Sequence, residues 1–77
     1  MTTSSLNDWY GISIITSKDL GSPMWFAAGN IFRRDNNEPV DSVSGYGFTT
    51  NLAEQEARTA AYNLSVLTIR PANWSLV

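Results

Sequence analysis

The sequence predicts an α+β domain, a three-stranded antiparallel meander followed by one C-terminal helix and a short apolar tail (β-β-β-α). Three observations carry this expectation. Apolar residues alternate in three segments separated by turn-rich connections. A later segment carries apolar residues at helical spacing. Between the two patterns lies Gly45-Tyr46-Gly47-Phe48-Thr49-Thr50-Asn51-Leu52-Ala53-Glu54, where alternation stops at Phe48 and a helix start signal follows at once. Asn51 as N-cap with Glu54 three residues on resembles a capping box.

The elements follow in order. Residues 1–8 are small and polar and read as a flexible N-terminus. Residues 9–17 read as the first strand, with Tyr10, Ile12 and Ile14 on one face and Trp9, Gly11, Ser13 and Ile15 on the other. Residues 18–23 contain Gly21, Ser22 and Pro23 and form a connection. Residues 24–34 read as the second strand, apolar on both faces through Trp25, Ala27 and Ile31 and through Met24, Phe26 and Phe32. Asp35-Asn36-Asn37-Glu38-Pro39 is a hairpin loop, because Asn and Asp tolerate positive φ and Pro ends a ladder. Residues 40–49 read as the third strand, in which Gly45 and Gly47 predict a bulge or the close approach of another backbone.

Residues 52–69 read as the helix, with Ala53, Ala57, Ala60, Leu64 and Leu67 as its buried stripe. Alanine is small, so the first half should sit close to the sheet. Glu54 and Arg58 form an i,i+4 pair in the favourable order. Glu54 and Glu56 suit the helix N-terminus, and Arg70 the C-terminus. Pro71 is the stop. The tail, residues 71–77, is apolar around Trp74. The domain proper is thus expected to span residues 9–70.

The chain's 77 residues allow one core. So short a chain is marginal as a monomer and usually needs a staple. With no cysteine and no histidine, disulfides and the usual zinc sites are excluded. A homo-oligomer or a protein partner is the staple left. One helix also leaves a sheet face open, and Trp9, Trp25, Phe26, Phe32 and Trp74 are the expected interface residues. The net charge of -2 gives no electrostatic footprint for nucleic acid. No apolar run approaches a membrane span, and no basic segment precedes an apolar core at the start, so a cytoplasmic protein is expected.

Without histidine or cysteine there is no Ser-His-Asp triad and no thiol nucleophile. Gly45-Tyr46-Gly47 lacks the third glycine of a phosphate loop. Asp35, Asn36, Glu38 and Asp41 lack the spacing of a calcium loop. No catalytic residue, cofactor or metal is expected. Arg33 and Arg34 are the only basic cluster and the candidate contacts for nucleic acid or another anion.

Two resemblances bear on this. Trp25, the run Gly47-Phe48-Thr49-Thr50 and Glu54 through Tyr62 resemble the AP2-type and integrase N-terminal DNA-binding domain. The glycine-rich strand end before an Ala-rich helix resembles the C-terminal half of the double-stranded RNA-binding domain. These imply a strand-strand-strand-helix fold and, as the alternative function, a nucleic-acid-binding module using Arg33, Arg34 and sheet aromatics. The first family reads DNA with several basic strand side chains, and the second grips phosphate with lysines at a helix start. Here the matching helix start has Asn51, Glu54 and Glu56. In style the chain resembles small acidic phage and mobile-element proteins, anti-CRISPR inhibitors among them. The leading expectation is a non-enzymatic protein–protein interaction or regulatory inhibitor protein acting through an apolar sheet face.

Overall fold

The computed structural model describes residues 2–71. Its elements are β1 (Thr2–Ser5), β2 (Tyr10–Lys18), β3 (Trp25–Arg33), β4 (Pro39–Gly47) and α1 (Thr50–Tyr62), followed by a 3₁₀ turn at Ser65–Thr68. The strands form one antiparallel sheet in the order β1-β2-β3-β4. The α+β class and the hairpin order agree with the sequence. The strand number does not: β1 pairs with β2 from Thr2↔Ile14 to Ser5↔Gly11, making four strands instead of three. Its Thr and Ser side chains carry no apolar alternation, so the segment is a strand because β2 offers it an edge.

One sheet face is covered. Tyr10, Ile12 and Ile14 of β2 and Ala27 and Ile31 of β3 are buried under Ala53, Ala57 and Ala61 of α1. Ile12, Ile14 and Ile31 are the largest fully buried side chains, each worth about 1.5–3 kcal/mol of burial. The helix lies close because nothing intervenes between it and β4. A Cβ on Gly45 would fall 2.6 Å from Ala57 N, and one on Gly47 would fall 2.6 Å from Ala53 N. The two glycines therefore mark the expected close approach of another backbone. A register shift also lies near the start of β4, between the Ile31↔Asp41 and Phe32↔Pro39 pairs, and Val40 there packs against the core.

The helix differs from its sequence reading at both ends. Its N-cap is Thr49 in place of Asn51, with Thr49 Oγ1 accepting the Leu52 N–H at 3.2 Å. That puts Leu52 where a capping box needs Glu, and places Glu54 and Glu56 beyond the first turn. The helix stops at Asn63 instead of running to Ile69. The chain then tightens, with Leu64 N bonded to Ala61 O at 3.0 Å. This break brings Leu67 into the core with Leu6 and Tyr10. Within α1 the buried stripe runs through Ala53, Ala57 and Ala61, with Ala61 in place of the expected Ala60. Glu54 and Arg58 reach out to β1: Thr2 Oγ1 donates to Glu54 and Arg58 donates to Ser4 Oγ.

Asn7 holds the far end together. Its Oδ1 accepts the N–H groups of Trp9 (2.8 Å) and Tyr10 (2.9 Å), and its Nδ2 donates to Leu67 O at 2.8 Å. The Tyr10 hydroxyl donates to Ile69 O at 2.9 Å. The β1–β2 loop and the segment after α1 are thereby fastened to each other.

Two stability outcomes follow. Gly45→Ala or Gly47→Ala should destabilise by about 1–3 kcal/mol or more, because the added methyl meets helix backbone. Gly21→Ala, whose nearest neighbour would be Asp19 Oδ1 at 3.7 Å, should stay within about 0.5 kcal/mol in the same urea titration. Asn7→Ala strands two backbone N–H groups and one carbonyl and should cost about 1–3 kcal/mol, read as a lowered urea midpoint with unchanged slope.

Candidate protein-interaction surface

The register fixes what the uncovered face displays. Side chains alternate across a strand, and Phe26↔Tyr46, Ala28↔Ser44 and Asn30↔Ser42 are cross-strand partners on the face away from α1. Ile15, Ser13 and Gly11 of β2 continue that face, with Thr3 of β1 beyond them. Its middle is therefore polar and small: Thr3, Ser13, Asn30, Ser42 and Ser44. The Thr3 and Ser13 hydroxyls are 3.3 Å apart. Apolar groups lie toward its two ends, so the face is mixed where an apolar one was expected.

At the first end, the Phe26 and Tyr46 rings pack tilted at 54° with centroids 5.1 Å apart. Ile15 (52% exposed) and Tyr46 (50%) lie on the face there, and Leu20 (98%) sits in the β2–β3 turn. Phe48 (67%) and Leu52 (46%) occupy the β4–α1 junction at the same end. The turn beneath Leu20 is built by Asp19, whose Oδ1 accepts Gly21 N and whose Oδ2 accepts the Ser22 hydroxyl. The fully exposed Leu20 thus rides on an ordered turn.

At the second end, Phe32 lies half-buried beside Gly11, where a Cβ would fall 2.6 Å from the Phe32 ring. Shallow depressions flank it. One of about 300 Å³ is lined by Thr3, Ser5, Gly11, Phe32 and Arg34, and one of about 380 Å³ by Ser13, Asn30, Phe32, Asn37 and Pro39.

Of the expected interface residues, Phe26 and Phe32 lie on the open face, at opposite ends of β3. Trp9 and Trp25 are half-buried against the core cluster. Trp25 also lies under the Lys18 ammonium, 5.4 Å from the ring centroid, while that ammonium donates to Pro23 O at 3.0 Å. Trp74 lies outside the described residues. Leu20, Phe48 and Leu52 were not among the expected residues. Each is a single apolar residue in a mixed context: Phe48 and Leu52 follow Tyr46 closely in the chain, and the hairpin register brings Leu20 to the same end.

The basic cluster is engaged within the chain. Arg33 grips Asp35 through Nε–Oδ1 at 3.0 Å and Nη2–Oδ2 at 2.6 Å, a bidentate fork. Arg34 donates to the carbonyls of Asn7 and Asp8, both at 3.1 Å. The loop acids also have local partners. Asn36 Nδ2 donates to Glu38, Asn36 Oδ1 accepts Glu38 N, and Asp41 accepts the Ser42 N–H at 2.7 Å. Among the described residues no three acidic side chains converge as they would around a metal ion. No described helix is long and apolar enough to cross a membrane.

Comparison of the chain with protein-family models, curated proteins and solved structures found no match.

The Arg33 hydrogen bonds hold the Asp35 carboxyl below the usual aspartate range, and raise the Arg33 guanidinium in turn. A depressed carboxylate stabilises the fold above its unfolded pKa of about 3.9, and that contribution is lost as pH falls through the lower folded value. A carboxyl-carbon NMR titration should therefore give Asp35 a midpoint below that of an unperturbed aspartate. In Arg33→Gln it should return toward that value.

Proposed function

We propose that this chain is a small, non-enzymatic protein-binding domain. Its recognition surface would be the apolar end formed by Ile15, Phe26 and Tyr46 on the open face with Leu20, Phe48 and Leu52 around it. The observation that carries this reading is the clustering of five exposed large apolar side chains, Ile15, Leu20, Tyr46, Phe48 and Leu52, at one end of an 8.5 kDa domain. Such residues are ordinary singly and mark interfaces when gathered. Tyr46 and Phe26 supply the rigid aromatic area that anchors protein contacts. A polar middle of Ser, Thr and Asn suits the rim of such a contact.

A regulatory or inhibitory role, by occupying a partner's surface, is the form of activity this proposal favours, and a second copy is the simplest partner. Arg33 and Arg34 are turned to Asp35 and to the β1–β2 loop, and the net charge is -2, which supports a protein partner over nucleic acid.

The test compares wild type with an Ile15→Ser/Phe48→Ser variant of confirmed thermal stability. Sedimentation from about 10 to 500 μM should show wild-type self-association, or a stable complex with a purified partner, that the variant weakens by at least tenfold, about 1.4 kcal/mol. Indistinguishable behaviour of the two proteins in both assays would overturn the proposal.

A further inference from the structure

The edge of the sheet at β4 carries a more specific inference, which rests on the reading that the chain binds proteins. Backbone groups in an antiparallel strand alternate in direction. Met24 O accepts Asp19 N, and Arg34 N donates to Trp9 O, so even-numbered residues through β3 turn toward β2. The odd-numbered Trp25, Ala27, Gly29 and Ile31 therefore turn to β4, where they pair with Gly47, Gly45, Val43 and Asp41. Ser42, Ser44 and Tyr46 are left pointing their N–H and C=O groups away from the sheet.

Among the described residues no strand lies beyond β4. Edges like this are normally blunted by Lys, Pro, a bulge or a short strand. Here Pro39 and the register shift near Val40 protect one end, and the Asp41 carboxylate occupies the Ser42 N–H at 2.7 Å. Past that cap, Ser44 and Tyr46 have none of these devices.

The helix gives the edge a wall. Ala53, Ala57 and Ala61 face the core, while Glu54 and Arg58 flank them on the β1 side. Leu52 and Glu56 lie on the other flank, with their Cβ atoms over Gly47 and Gly45 of β4. An extended chain beside β4 would run between the outward backbone groups of Ser44 and Tyr46 and an overhang of one apolar and one acidic side chain. The Asp41 carboxylate and Glu56 both lie on this side, and β4 has no Lys or Arg. The basic residues Arg33, Arg34 and Arg58 are held by Asp35, the β1–β2 loop and β1.

We infer that the β4 edge is a strand-accepting groove for an extended, basic segment of a partner protein, bound through Ser44 and Tyr46 backbone groups with a cationic side chain beside Glu56. A second copy does not fit this edge. Two β4 strands joined about a two-fold axis would place both helices on one face, acidic flank toward acidic flank.

The test uses a capped peptide of alternating Lys and Val, with an alternating Glu and Val peptide as control. Amide exchange is followed residue by residue. The Lys peptide should slow exchange at Ser44 and Tyr46, and the Glu peptide should not. Glu56→Lys, with its fold checked by circular dichroism, should weaken Lys-peptide binding by about threefold or more at low salt, and Glu56→Gln by less. Ser44 and Tyr46 amides already protected in the protein alone would overturn the inference, because the edge would be filled by this chain or its copy. No added protection at millimolar Lys peptide would overturn it as well. Perturbation confined to Ile15, Phe26 and Phe48 would overturn the groove while leaving the protein-binding reading in place.

Discussion

The helix can lie on this sheet only because β4 has no side chain where the two backbones meet. Gly45 and Gly47 face α1 with hydrogen in place of Cβ, and Ala53 and Ala57 answer from the helix with the smallest side chain that still favours helix. Close approach brings the helix down onto Ile12, Ile14 and Ile31, the three largest fully buried side chains of a small core. A domain of 77 residues has few such side chains to bury, so a gap of one methyl layer would remove much of its dispersion energy. Glycine weakens a strand by entropy, and the packing it permits is what offsets that loss.

The same contact distributes the surface. With Ala53, Ala57 and Ala61 directed inward, one helix flank must meet β1 and the other must overhang β4. Glu54 and Arg58 on the first flank hold the short polar β1 through Thr2 and Ser4. Leu52 and Glu56 on the second are left exposed. The face away from the helix receives the alternate residues of every strand, which is why small polar groups fill its middle while apolar ones gather toward its ends.

Much of this was legible in the residues, and the failures have local causes. Alternation at Tyr10, Ile12 and Ile14 identified the buried face of β2, and Gly45 with Gly47 announced the close approach. Thr2–Ser5 could not be read as a strand, because it buries almost nothing and owes its conformation to pairing with β2. Asn51 and Thr49 are both good N-caps, and the tighter corner after Gly47 selects Thr49. Helical spacing ran on through Leu64 and Leu67, but the helix ends before them and a 3₁₀ turn carries Leu67 into the core. Of the two candidate basic contacts, Arg33 has its partner two residues away, within reach of a sequence reading, whereas the Arg34 partners lie in the distant β1–β2 loop. The apolar end was the least legible feature: Leu20 in the β2–β3 turn and Phe26 on β3 come to the same end as Tyr46 and Phe48 only through the hairpin register.

The central claim is that helix and sheet are one packed unit joined through Gly45 and Gly47. Native-state amide exchange in low urea measures this most directly. The account predicts that Ala57 and Ala61 of α1 and Ile12 and Ile31 of the sheet exchange with the same free energy and the same denaturant slope, opening only together. Helix amides that exchange through a separate opening, at markedly lower free energy and slope than the sheet, would contradict it.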